Sequence, residues 1–147
     1  ILNNITWQKP NPPPNLACRY FTHSTETIIW AVKDHKSKHK FNYDLMKEIN
    51  NNKQMKDVWV MTAPGKAEKT YDKHPTQKPL SLLDRLILAA TDEGDLVLDA
   101  FNGSGTTGVS CIRTNRQYIG IEIDKEFIEL SKKRFSEQTI LNEKLTA

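Results

Sequence analysis

Residues 96–124 read LVLDAFNGSGTTGVSCIRTNRQYIGIEID, and this stretch decides the fold. An apolar run, Leu96-Val97-Leu98, stops at Asp99, and a glycine turn follows at Gly103 and Gly105. A short helix through Ile112 leads to a second apolar run, Tyr118-Ile119-Gly120-Ile121, which stops at Glu122. Apolar runs without alternation suit strands covered on both faces, as in parallel sheets, so the stretch reads as one strand–helix–strand crossover. Ligands of such sheets sit at the carboxyl ends of the strands, where Asp99 and Glu122 fall. Glycines there admit positive φ and let a ligand approach the backbone. An acid closing the second strand accepts hydrogen bonds from ribose hydroxyls. The pattern calls for a nucleoside-containing ligand.

Two cofactors compete for it. Gly103-x-Gly105-x-x-Gly108 matches the dinucleotide fingerprint as written, with Glu122 near the expected distance downstream. In that fingerprint, however, glycine follows the strand almost at once, because the pyrophosphate must reach the helix N-terminus. Here Asp99-Ala100-Phe101-Asn102 intervene, and Asp99 would repel a pyrophosphate. An acid beside the glycines suits a ligand with an ammonium group and no phosphate, such as S-adenosyl-L-methionine, with Phe101 packing near its methionine part. The plainer alternative is an acid that caps the turn and a phenylalanine in the core.

Outward from this unit, His74-Pro75-Thr76-Gln77-Lys78-Pro79 introduces a helix in which Leu83, Leu86, Ile87 and Ala90 recur at helical spacing, with Leu80 one turn earlier. Pro79 suits the first turn, and Glu93-Gly94-Asp95 ends the helix. Asp124 is expected to cap a final helix whose buried stripe is Phe127, Ser131 and Phe135 with Ile128 beside them. Residues 139–147 are expected to be a tail. At the other end, Ile1–Trp7 and Thr25–Val32 read as an antiparallel strand pair joined by the loop Lys9-Pro10-Asn11-Pro12-Pro13-Pro14-Asn15. Between Lys33 and Lys73 the chain turns polar, with ten lysines against six acids. Tyr43–Ile49 is expected there as a helix and Val58–Met61 as a strand, and the rest as surface loop.

The organisation expected is therefore hairpin strands over 1–33, a polar insert over 34–73, a cofactor-binding half over 74–138 and the tail. The 147 residues make one modest domain or part of a larger one, and the absent initiator methionine points to a start in mid-protein. A net charge of +3 permits a polyanionic partner without demanding one. Cys18 and Cys111 stand far apart, which suits reduced thiols in a cytosolic protein. His35 and His39 have no cysteine neighbourhood, so no metal site is expected. Trp7, Trp30 and Trp59 are expected in the core or at an interface rather than as base-stacking platforms, no apolar run is long enough to span a membrane, and no signal peptide is visible.

Taken together, HPTQKP at 74–79, LDAFNGSGTTG at 98–108 and YIGIEID at 118–124 resemble the amino-DNA methyltransferases, the bacterial adenine-N6 and cytosine-N4 enzymes of the permuted beta group. ILNNITWQKPNPPPN and RYFTHSTETIIWA resemble the segment that follows the catalytic half in these enzymes, and GATC-modifying adenine members are the most similar. The resemblance implies an α/β fold: part of a Rossmann-like, S-adenosylmethionine-dependent methyltransferase sheet, mixed, with an antiparallel hairpin at one side and incomplete without upstream strands. It implies S-adenosyl-L-methionine as cofactor, held by His74, Thr76, Lys78, Asp99, Phe101, Gly103, Gly105 and Glu122. It implies double-stranded DNA as partner, faced by the 34–73 insert, in the bacterial cytoplasm at the nucleoid; Lys9, Asn11, Arg19 and His23, grouped around the proline loop, are the residues expected to approach its phosphates or bases.

One departure matters most. The family's catalytic tetrapeptide, Asp/Asn/Ser-Pro-Pro followed by an aromatic residue, occurs nowhere in this chain. Asn11-Pro12-Pro13-Pro14 fails as a substitute because Pro14 has no aromatic face to stack on a flipped base. No catalytic residue is therefore expected here, the N-terminal catalytic half becomes a required partner, and the chain alone is expected to be inactive. A homo-oligomer stays open. So do a non-catalytic module that binds S-adenosylmethionine or DNA, cytosine-N4 chemistry, and an NAD-type oxidoreductase fragment, against which Asp99 and HPTQKP argue.

Overall fold

The computed structural model describes residues 1–69, 71 and 74–146, which fall into two compact units, Ile1–Ala63 and Pro64–Ala147. The first unit is a three-stranded mixed sheet. β1 (Asn3–Gln8) pairs antiparallel with β2 (Thr25–Trp30), in the register Asn3↔Trp30 to Gln8↔Thr25. After α1 (Tyr43–Glu48), β3 (Val58–Val60) returns parallel to β1 on its other side, giving the order β2-β1-β3. The polar stretch from residue 34 thus contributes a strand to the sheet, an arrangement its composition did not reveal. Its expected end at residue 73 lies outside the described residues.

Ile5, Trp7, Met46 and Trp59 form the buried core of this unit. Each fully buried side chain of this size stabilises the fold by about 1.5–3 kcal/mol. Both buried tryptophans satisfy their N–H: Trp7 donates to the Met61 carbonyl (2.8 Å) and Trp59 to that of Lys56 (2.7 Å).

The second unit opens with a 3-10 turn at Lys66–Lys69, where only loop was expected. Then come α2 (Leu80–Ala90), β4 (Leu96–Asp99), α3 (Thr106–Arg113), β5 (Gln117–Gly120) and α4 (Lys125–Thr146). β4 and β5 are parallel, with Leu98 opposite Ile119 and Asp99 opposite Gly120, and α3 crosses between them in contact with α2 and α4. The α/β crossover read from residues 96–124 is present.

Three local expectations change. Pro79 is the N-cap of α2, with extended ψ of 143°, rather than its first helical residue. The buried side of α2 is Leu82, Ile87 and Ala89, while Ala90 is exposed. Eight of its eleven residues are Leu, Ile or Ala, so periodicity could not fix which side faces in. Residues 139–146, expected as tail, continue α4, and Asn142 Nδ2 donates to the Ile112 carbonyl (2.8 Å). Asp124 caps that helix as expected, its Oδ1 accepting from the Glu126 N–H (2.8 Å).

Candidate functional site

The parallel register brings Asp99 and Glu122 to one end of β4 and β5, with the loop 99–105 between them. Ladder bonds extend into that loop, since Ile121 N–H donates to the Asp99 carbonyl and Asn102 N–H to that of Ile121, both at 2.9 Å. Gly103 and Gly105 take positive φ, 52° and 74°, which L side chains adopt only at a cost. Gly105 is doubly constrained, because a Cβ there would lie 2.6 Å from Ser131 Cβ.

Both strand-end acids are engaged by the loop. Asp99 accepts from the Phe101 N–H (3.0 Å) and the Thr107 hydroxyl (2.6 Å), the turn-capping role raised as its plainer alternative. Glu122 accepts from the Gly103 N–H (2.7 Å) through Oε2, and from Ile123 (2.9 Å) and Asp124 (3.0 Å) through Oε1. The N–H groups of Asp124 and Gly103 hold its carboxyl below the ordinary value of 4.5, against a small opposing effect of burial. An ionised carboxylate offers about four lone-pair sites, so Glu122 retains acceptor capacity beyond these three bonds.

Opposite the loop lies the 74–79 segment. His74, Thr76, Lys78, Asp99, Phe101 and Gly103 all line one cavity of about 190 Å³, together with Leu83 of α2. The His74 ring packs tilted against Phe127 of α4, with ring centres 4.3 Å apart, and its Nδ1 meets the Thr76 N–H (3.3 Å). A Cβ on Gly103 would lie 3.0 Å from His74 Nε2, so the glycine sets the cavity's width. Lys78 Nζ donates to the Thr76 carbonyl (3.2 Å). Phe101 is 91% exposed and lies outside the buried core of this unit. The structure therefore gathers seven of the eight residues at one place: six line the cavity, and Glu122 binds the Gly103 amide at its edge. Gly105, the eighth, is buried behind the loop.

Several supporting residues escaped the sequence reading. Tyr118 OH donates to Asn102 Oδ1 (2.6 Å), and Asn102 Nδ2 donates to the Gly103 carbonyl (3.1 Å). Burial pushes the Tyr118 phenol well above its usual range. Arg134 of α4 reaches the Ser104 carbonyl (2.6 Å), and Glu68 accepts from the Leu80 N–H (2.7 Å) at the start of α2. Arg134 was legible in principle, because it follows Ser131 by three on the stripe Phe127–Ser131. Glu68 carried no signal, since its 3-10 turn has no periodic pattern.

The DNA-facing candidates lie in the first unit. Asn11, Arg19 and His23 are exposed on the β1–β2 loop. Lys9 is held instead within the sheet, in an ion pair with Glu26 (2.6 Å) and over the Trp7 ring at 5.0 Å. Asn15 pins the loop by donating to the Tyr20 carbonyl (2.7 Å) and accepting from the Ala17 N–H (3.0 Å). Among the described residues no His/Cys/Asp/Glu group could hold a metal, and no helix is long and apolar enough to cross a membrane.

A family profile described as DNA methylase matches residues 1–133. The type II methyltransferase M2.MboI of Moraxella bovis is 61% identical over 139 residues, covering 95% of this chain and 51% of the relative. M2.DpnII of Streptococcus pneumoniae is 60% identical over 143 residues, covering 97% and 53%. The chain thus spans about half the length of these relatives. Among solved structures, M1.HpyAVI in complex with SAM superposes with a TM-score of 0.74 at 42% identity, covering 90% of this chain and 60% of that one. The cytosine-N4-specific PvuII DNA methyltransferase, 24% identical, shares the fold with a TM-score of 0.71 over 90% of this chain and 50% of its own. With the profile spanning nine-tenths of its length and relatives at 60% identity or more, the chain belongs to the DNA methylase family.

Proposed function

We propose that this chain is the cofactor-binding part of a DNA methyltransferase that transfers a methyl group from S-adenosyl-L-methionine to the N6 amine of adenine. The observation that carries the reading is the cavity between the 74–79 segment and the glycine loop, with an acid ending each strand beside it. Its volume, about 190 Å³, lies below that of a pocket for a whole drug-sized ligand. It suits the amino-acid part of the cofactor: Asp99 faces the ammonium group, while Lys78 and Thr76 face the carboxylate. Glu122 keeps acceptor capacity for ribose hydroxyls, and exposed Phe101 offers an apolar wall. These residues orient the cofactor and position its methyl group, a sulfonium-bound electrophile, toward the target amine.

Double-stranded DNA is the substrate in this reading. Residues 1–63 carry nine Lys and Arg against five Asp and Glu, whereas residues 64–147 carry twelve against thirteen. The excess positive charge therefore belongs with the proline loop, whose Asn11, Arg19 and His23 face DNA; Lys9 acts through Glu26 and Trp7 as an anchor of that loop. The catalytic tetrapeptide comes from the rest of a protein about twice as long, working in the bacterial cytoplasm at the nucleoid. Leu96, Leu98, Ile119 and Ile121 are 49–62% exposed, apolar cover of the kind that marks an unfilled interface.

The test is methyl transfer from radiolabelled cofactor to duplex DNA. The chain alone is expected to transfer nothing above background. Supplying the upstream half in the same polypeptide should restore transfer to adenine. Activity in the chain alone would contradict the division of labour proposed. Cofactor binding without transfer by the completed protein would favour a non-catalytic module.

A further inference from the structure

The cofactor loop and the segment facing it are fastened from behind by residues that touch neither cavity nor solvent front. Arg134 sits on α4, where Nη1 donates to the Ser104 carbonyl (2.6 Å) and to Thr106 Oγ1 (3.1 Å). It thus grips the loop at the point where Gly105 turns into α3. Its guanidinium is partly buried, and Glu68 and Glu137 oppose the effect of that burial on its charge. Glu68 in turn holds the other wall. Its carboxylate accepts from the Leu80 N–H (2.7 Å), and its carbonyl accepts from Gln77 Nε2 (2.7 Å). Gln77 is buried, 7% exposed, in the middle of the 74–79 segment. Glu68, Leu80, Arg134, Glu137 and Gln138 line one small cavity of about 190 Å³ behind both walls.

We propose that Arg134 and Glu68 are positioning residues that set the spacing between the glycine loop and the 74–79 segment, and through it the affinity for the cofactor. This rests on the cofactor reading above. The physical case is directional. Arg134 serves two acceptors from the single nitrogen Nη1, and its rigid, planar guanidinium fixes the direction of both bonds more tightly than a flexible lysine ammonium would. Glu68 bonds one wall through both its side chain and its backbone, and its charge faces the cation that bonds the other. Neither residue reaches the cavity the cofactor would occupy, so each acts only through the walls.

The test uses Arg134→Lys, Arg134→Met and Glu68→Gln in the full chain, read by amide hydrogen exchange and by calorimetric titration with S-adenosylhomocysteine. Arg134→Met is expected to speed exchange at the amides of residues 103–106 about tenfold or more, while β1–β2 and the β4–β5 ladder keep their protection. Affinity should fall about tenfold in Arg134→Met, with Arg134→Lys recovering part of the loss. Glu68→Gln should speed exchange around residues 77–80. Unchanged exchange at 103–106, or a uniform acceleration across the second unit, would overturn the proposal. So would a loosened loop with unchanged affinity. If wild-type chain fails to bind S-adenosylhomocysteine while exchange changes locally, the cofactor reading fails for this chain and the clamp on the loop stands.

Discussion

Glu122 shows how one side chain couples the end of a strand to the loop beside it. Three backbone N–H groups converge on its carboxylate, so the folded state favours the ionised form and its pKa lies below 4.5. The stabilisation this linkage provides is fully present above the unfolded value and is lost as pH falls through the lower, folded one. Thermal melts are therefore expected to lose stability below about pH 4.5. Glu122→Gln, less stable than wild type at neutral pH, should show a shallower acid limb. An identical acid limb in the variant would show that Glu122 is not bonded as described. Cys111 is a contrasting case, because burial pushes its thiol up to about 11 and removes it from the chemistry altogether.

At the scale of elements, the two helices around the loop explain why glycine stands at position 108. A Cβ there would lie 2.5 Å from the Phe135 ring and 2.7 Å from Tyr118. Intrinsic propensity alone makes Gly→Ala in a helix favourable by about 1 kcal/mol. Overpacking of this kind costs about 1–3 kcal/mol, and with contacts this short it wins. Gly108→Ala should therefore destabilise in urea unfolding, and less so in a Phe135→Leu background, where the ring is gone. Stabilisation by Gly108→Ala would mean that α3 and α4 are not packed through this position. The crossover that carries the site was legible because its signals are local: uninterrupted apolar strands, an acid at each strand end, and glycines where φ must be positive. Long-range features were not. Val58–Met61 was legible as a strand, but nothing in residues 34–63 announced that it would lie parallel to β1, because so short a run carries no mark of its partner. The place of Arg134 beside the Phe127–Ser131 stripe was legible but the Ser104 carbonyl it reaches was not, and the nearly all-apolar α2 hid its inward side.

At the scale of the molecule, the site is built entirely within residues 64–147, while the excess positive charge belongs to residues 1–63. That division matches a protein in which one part holds a small cofactor and another meets a polyanion. The two-stranded β4–β5 sheet, with Leu98 and Ile119 paired on an exposed face, has less cover than a parallel sheet requires. The most direct test of the central claim is calorimetric titration of the chain with S-adenosylhomocysteine, beside an Asp99→Ala, Glu122→Ala variant that remains folded by circular dichroism. The account predicts saturable binding to the wild-type chain with one site, and loss of that binding in the variant. Equal binding by both, or preference for NAD over S-adenosylhomocysteine, would contradict it.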